Sequence, residues 1–313
     1  MAKYLDPKVD FLFKKIFGEN KELLISFLNS FLPLEDEREV IEIEYLSPEL
    51  VPVTPLGKNS IVDVRCIDNH GRAFIVEMQS EWTNIFRKRL IVNGSKAIIK
   101  QLDKKSVEDD AKRFQDLQTV YVLAAVNSAF SDGNDWYHIL KIMNPKNHDV
   151  VLDGLEFILL ELPKFTSETW SLAQKKLAVL WLRFLKEIDG YYNELPEEFT
   201  SNELIFSAIQ KCEEAALTSE EREAYERSKE QVMWDRSIKG LEDAVVEKDK
   251  IIADKDQALA DNAKTIADKD QALADKAKTI ADKDQALANN AKTIADQAKE
   301  LAELRKVLSN NQH

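Results

Sequence analysis

Residues Ile61–Gln79 read IVDVRCIDNHGRAFIVEMQ. Asp68-Asn69-His70-Gly71 is turn chemistry between two apolar runs, which predicts a β-hairpin. Alternation then sorts each run into two faces. Val62, Val64 and Cys66 share one face of the first strand, and Ile61, Asp63, Arg65 and Ile67 the other. In the second strand Phe74, Val76 and Met78 share a face, and Ala73, Ile75, Glu77 and Gln79 share the other. A one-residue slip would mix these sets, so the pattern selects Val62 opposite Met78, Val64 opposite Val76 and Cys66 opposite Phe74. The same register sets Asp63 opposite Glu77, with Cβ atoms about 5 Å apart.

Two carboxylates at that spacing repel, so one holds a proton or a cation sits between them. A hard divalent ion such as Mg²⁺ (or Mn²⁺) takes oxygen ligands and keeps several waters, so Asp63, Glu77 and a backbone carbonyl suffice as its metal ligands. Gln79 projects from the same face two residues on. An ion there lowers the pKa of a bound water and stabilises charge on a phosphate oxygen. The alternative is a solvated sheet face on which Asp63, Glu77 and Gln79 share no task. The helical patterns on either side favour a covered face.

The flanking sequence suits phosphate. Residues 87–105 hold Arg87, Lys88, Arg89, Lys96, Lys100, Lys104 and Lys105 against one acid, Asp103. The whole chain of 313 residues carries a net charge of −13, so this is a local reversal of sign. Such a helix either grips a phosphate backbone or presents a solvated face. Asp10 and Lys14, one helical turn apart, add a carboxylate and a cation, or form an ordinary i,i+4 pair.

Farther out, Val9–Leu32 has the period of one amphipathic helix with a weak interruption at Gly18. Val40–Tyr45 alternates like a strand, and Thr119–Val126 is a continuous apolar run like a strand buried on both faces. Tyr137–Met143 and Glu156–Leu162 form a further strand pair. A meander followed by a crossover helix predicts an α/β fold: a mixed sheet with helices on its faces. Two helical stretches follow, WSLAQKKLAVLWLRFLKEI from Trp170, and LTSEEREAYERSKEQVMWDRSI, whose cap is Thr218 or Ser219.

The tail is a repeat of 14 residues, two heptads, from Ile251 to Lys306. Ile252, Leu259, Ile266, Leu273, Ile280, Leu287, Ile294, Leu301 and Leu308 occupy every seventh position. Taking these as d puts Asp256, Ala263, Asp270, Ala277, Asp284 and Ala291 at a. The seam is thin. It serves as a spacer or self-association arm of a homo-oligomer, or as a solvated helix without a partner. The resulting division is 1–166, a core; 167–240, a helical extension; and 241–313, a coiled-coil tail. The two cysteines, Cys66 and Cys212, exclude a disulfide framework or a CxxC zinc site. Neither a signal-peptide pattern nor an apolar run of membrane-spanning length is present, so a cytoplasmic protein without membrane contact is expected.

Three stretches together, DFLFKKIFGENKELLISFLNSFL, IVDVRCIDNHGRAFIVEMQ and ELPKF at Glu161–Phe165, resemble the Rpn family. These are recombination-promoting nucleases, or transposases, of the PD-(D/E)XK nuclease superfamily. The resemblance spans roughly residues 4–235. It implies a restriction-endonuclease-like core and Mg²⁺- or Mn²⁺-dependent cleavage of DNA. Asp63 matches the family's metal-binding Asp, Glu77 its second acid, and Asp10 an acid of its first helix. Arg89 sits near a basic position. Gln79 stands where the superfamily at large has Lys. Lys14, Arg65 and Arg89 are the cations at hand to replace that charge. The expected catalytic set is Asp10, Asp63, Glu77 and Gln79, with DNA held by Lys14, Arg87, Lys88, Arg89, Lys96 and Lys100. The alternative is a weak or inactive nuclease fold that binds DNA as a scaffold and self-associates through its coiled coil.

Overall fold

Of the stretch Ile61–Gln79, Val64–Gln79 folds as a hairpin within a six-stranded mixed sheet. The computed structural model describes residues 2–34, 38–50, 60–103, 114–150, 152–166 and 176–310. The chain opens with strand β1 (Ala2–Tyr4) and helices α1 (Asp10–Phe17) and α2 (Lys21–Phe31). Strand β2 (Ile43–Tyr45) is followed by a ribbon of β3 (Glu49–Leu50) and β4 (Ser60–Ile61). The hairpin is β5 (Val64–Asp68) and β6 (Ala73–Gln79). Helix α3 (Asn84–Asp103) leads to β7 (Val120–Val126), β8 (Tyr137–Leu140) and β9 (Leu155–Glu161). Then come α4 (Lys176–Glu187), β10 (Gly190–Tyr192), α5 (Glu197–Thr200), α6 (Glu203–Lys211) and α7 (Ser219–Asn310).

The sheet order is β2-β5-β6-β7-β9-β8. The expected meander is β2-β5-β6, antiparallel throughout, and α3 is the crossover that makes β7 parallel to β6. β9 lies parallel to β7, and β8 pairs antiparallel with β9 at the edge. One sheet face packs on α1, α2, α4 and α6, with Phe13, Phe17, Phe27, Trp181 and Phe184 wholly buried. Trp181 meets Phe17 at 5.4 Å and Phe27 at 5.7 Å between ring centroids. The other face packs on α3 through Phe86, Leu90 and Ala97, against Ile75, Val122 and Ala124. Both faces of β6 and β7 are therefore covered, and every residue of β6 is buried. Gly94 lets α3 approach closely. A Cβ there would stand 2.7 Å from Leu155 Cδ1 and 3.4 Å from Val122 Cγ2.

Three expectations need correction. Val9–Leu32 is two helices, not one. Gly18 closes α1 with its N–H on Lys14 O at 2.7 Å, and Asn20 Nδ2 caps the carbonyls of Lys15 and Ile16. Only Ile43–Tyr45 of VIEIEY pairs as a strand. Val40 is held instead by the Asn29 side chain, which bonds both its N–H and its carbonyl. The hairpin keeps Val64 opposite Val76 and Cys66 opposite Phe74, but the ladder stops there. Val62 turns to donate to Pro48 O, and its side chain joins the α3-facing cluster, away from Val64 and Cys66. Asp63 is accordingly not a ladder partner of Glu77. Its carboxylate accepts the Met78 N–H at 2.7 Å, a donor that continued pairing would have given to β5 backbone.

Residues 1–243 form one compact unit and 244–313 a second. In the first, α7 begins with a capping box. Glu221 N–H donates to Thr218 Oγ1 at 3.2 Å and Thr218 N–H to Glu221 Oε2 at 3.0 Å, which selects Thr218 as the cap. In the second, the repeats are continuous helix with Leu259, Ile266, Leu273, Ile280, Leu287 and Ile294 exposed. Among the described residues, no helix is long and apolar enough to cross a membrane.

Candidate active site

The end of the ladder creates a pocket of charge. β5 begins just past Asp63, β6 ends with Glu77 and Gln79, α1 brings Asp10 and Lys14 from one side of the sheet, and α3 brings Arg89 and Asn93 from the other. Glu77 is 1% exposed. Its Oε1 accepts Asn93 Nδ2 at 3.0 Å, and Arg89 Nη2 lies 3.8 Å from its Oε2. Arg89 Nη2 also donates to Gln79 Oε1 at 2.9 Å, and its guanidinium lies over the Phe86 ring at 5.2 Å. Lys14 Nζ sits 2.7 Å from Asp10 Oδ1 and 3.6 Å from Asp63 Oδ1, so the i,i+4 pair reaches the strand acid as well.

Asp63 and Glu77 hold protons tightly. Burial pushes Glu77 from 4.5 up to about 7, against the Arg89 charge and the Asn93 hydrogen bond. Burial, then the charges of Glu77 and Asp10, hold Asp63 well above the usual carboxylate range; Lys14 and the Met78 N–H oppose the shift. Burial works against the Lys14 charge, but the Asp63 and Asp10 carboxylates outweigh it and raise its pKa. Two desolvated acids side by side favour a proton or a cation between them.

The donor chemistry fits a hard divalent ion. Asp63 and Glu77 offer carboxylate oxygens. Among the described residues no group of three or more His, Cys, Asp and Glu side chains could hold a metal by itself. Two carboxylates with the remaining positions left to water or substrate oxygen match Mg²⁺ better than a transition metal that seeks a closed protein cage.

The basic residues of α3 divide. Arg89 faces the acids. Arg87 and Lys88 are exposed; Arg87 bonds Asn84 Oδ1 and lines an apolar groove with Trp82, Leu90 and Leu140. Lys96 and Lys100 are half-buried, and Lys100 lies about 16 Å of helix beyond Arg89. Lys104 and Lys105 lie outside the described residues.

Two groups were not singled out by the sequence reading. Asn93, fully buried, lies on the same helical stripe as Phe86, Leu90 and Ala97; a lone amide in that stripe was its signal. Glu161, read only as part of ELPKF, is fully buried at the end of β9. It accepts His138 Nε2 at 2.8 Å, Phe130 N–H at 2.8 Å, Lys164 Nζ at 3.1 Å and the Ser131 hydroxyl. Burial raises its pKa, but the Ser131, Phe130 and Lys164 bonds overcome that and lower it. This carboxylate ties β9 to the segment after β7.

A family model described as PD-(D/E)XK nuclease family transposase matches residues 7–243. No curated protein and no solved structure matches the chain.

Proposed function

The chain belongs to the PD-(D/E)XK nuclease family of transposases, and we propose that it is a Mg²⁺- or Mn²⁺-dependent DNA endonuclease acting in recombination or transposition. The observation that carries this reading is the pair of Asp63, half-buried, and Glu77, buried, flanked by Lys14 and Arg89. Asp63 and Glu77 would hold the divalent ion. When bound, that ion supplies Lewis acidity toward a phosphate oxygen and a lowered pKa for a water.

The chain's own groups do the positioning. Glu77, with its pKa near 7, gives up its proton as the cation enters. Arg89 fixes Gln79 Oε1, which orients the Gln79 amide to align the attacking water. Gln79 brings no charge. Lys14, held against Asp63 by the Asp10 carboxylate, supplies the cation that stabilises negative charge on the scissile phosphate. DNA is the substrate, and Lys96, Lys100 and the exposed Arg87 and Lys88 would contact its backbone. The tail makes the chain a homo-oligomer, with one site available for each strand.

The test is cleavage of plasmid and linear duplex DNA by the full chain in Mg²⁺ and in EDTA, with Asp63→Ala alongside. Cleavage should require the metal and vanish in the variant. Equal degradation by wild type and Asp63→Ala would overturn the reading.

A further inference from the structure

Among the described residues, Arg65 is a buried cation with no anion bonded to it. It is 7% exposed, and its Nε is shut away from solvent without a hydrogen-bond partner. Burial lowers its pKa, and no acid among the described residues offsets the shift. The other arginine of this hairpin shows what a satisfied guanidinium looks like here. Arg72 bonds Asp68 Oδ2 at 2.6 Å and Arg38 O at 2.7 Å. A desolvated guanidinium without a counter-charge is costly, and such a cost persists where a ligand supplies the missing charge.

Arg65 lines a cavity of about 330 Å³ between the hairpin and the C-terminal half of α3. The exposed His70 lines it from the hairpin and Lys100 from α3, and Ile67, Ala73 and Ala97 contribute apolar surface. Asp116, exposed, is the acid among the described lining residues. Gln101 and Gln118 bond reciprocally at 2.9 Å beside it and fix α3 to the start of β7. We propose that this cavity is a phosphate site built on Arg65, which takes a phosphodiester of the DNA strand bound for cleavage. The inference rests on the nuclease reading for the identity of the strand. The planar fork of Arg matches a phosphate's oxygens, and the ammonium of Lys100 adds a second charge.

The cavity and the acids lie along one helix. α3 touches Glu77 through Asn93 and lines the cavity through Ala97, Lys100 and Gln101. Ala73, at the cavity, is about 13 Å along β6 from Glu77. One strand of duplex carries a phosphate per ~3.4 Å of axis, so the Arg65 site would hold a phosphate about four nucleotides from the one being cut.

The experiment measures binding of the full chain to labelled duplex DNA in EDTA across a salt series, together with thermal unfolding in phosphate and in chloride at matched ionic strength. The chains are wild type, Arg65→Gln, Arg65→Lys, Lys100→Gln and Asp63→Ala. Arg65→Gln should bind DNA about tenfold more weakly and reduce the slope of log K against log salt by about 0.9. Arg65→Lys should keep most of both, and Lys100→Gln, at a half-buried side chain lining the cavity, should weaken binding with its melting in chloride little altered. In chloride Arg65→Gln should melt higher than wild type, because the uncompensated charge is gone, and phosphate should raise the melting temperature of wild type alone. A variant that melts lower with unchanged DNA affinity makes Arg65 structural and overturns the proposal. A phosphate effect that needs Arg65 while DNA affinity does not overturns its assignment to the strand. Asp63→Ala should lose cleavage and keep both binding readouts. If wild type itself does not cleave in Mg²⁺, the nuclease reading fails, while the Arg65 comparisons still stand or fall on their own.

Discussion

Glu77 links the site to pH. Its pKa is about 7 in the fold against an ordinary 4.5. A raised carboxylate stabilises the fold fully below its unfolded value, and that contribution is lost as pH rises through the folded value. Without metal, unfolding free energy should fall by up to about 3 kcal/mol between pH 4.5 and 7 and change little from this source above that. Glu77→Gln should remove the Glu77 part of this slope and leave that of Asp63. Mg²⁺ should raise the melting temperature more at pH 8 than at pH 5, because only the deprotonated pair binds it. Differential scanning calorimetry across pH, with and without Mg²⁺, checks all three. Asn93→Ala should cost about 1–3 kcal/mol in urea unfolding and move the Glu77 transition to higher pH, since it removes the donor that steadies the charged form. Asp63 and Glu77 were legible as misplaced acids in an apolar pattern. Their true relation was not. Alternation assumes the ladder continues, whereas a single side-chain bond from Met78 N–H to Asp63 ends it.

At the scale of elements, α3 carries both the buried side of the site and the contact with the sheet. Its closest approach is at Gly94, where Leu155 and Val122 leave no room for a branched side chain. Gly94→Val should destabilise the chain by about 1–3 kcal/mol in urea unfolding, with the slope of the transition unchanged. A rise in stability would mean that Leu155 swings aside and helix propensity decides the outcome. The crossover helix and the buried strand β7 were readable because their patterns are long and unmixed. The break between α1 and α2 was not, because Gly18 sits inside a continuous apolar period and the stop depends on Asn20 reaching back to two carbonyls. The short β2 was overread for a similar reason: Asn29, eleven residues upstream, takes both bonds of Val40 that a strand would have used.

For the whole molecule, the repeat was plain in the sequence, since nothing tertiary has to be known to see an apolar residue at every seventh position. Its role in assembly is read from the mass of the particle in solution. Sedimentation equilibrium should give more than one chain per particle for the full protein and a monomer for a chain ending at Asp243. That truncation keeps the Glu242 carboxylate on the Asn84 N–H and the Arg236–Glu81 pair. Equal monomer masses for both would leave the tail without a role in assembly. The arithmetic of the repeat has a further consequence for how such a gene can change. One unit of 14 residues is about 21 Å of α-helix and brings the apolar stripe back to within about 40° of where it began. Adding or deleting a whole unit therefore alters the length of the arm and leaves its apolar stripe facing nearly the same way, so the tail can change in size with no second mutation needed to realign it.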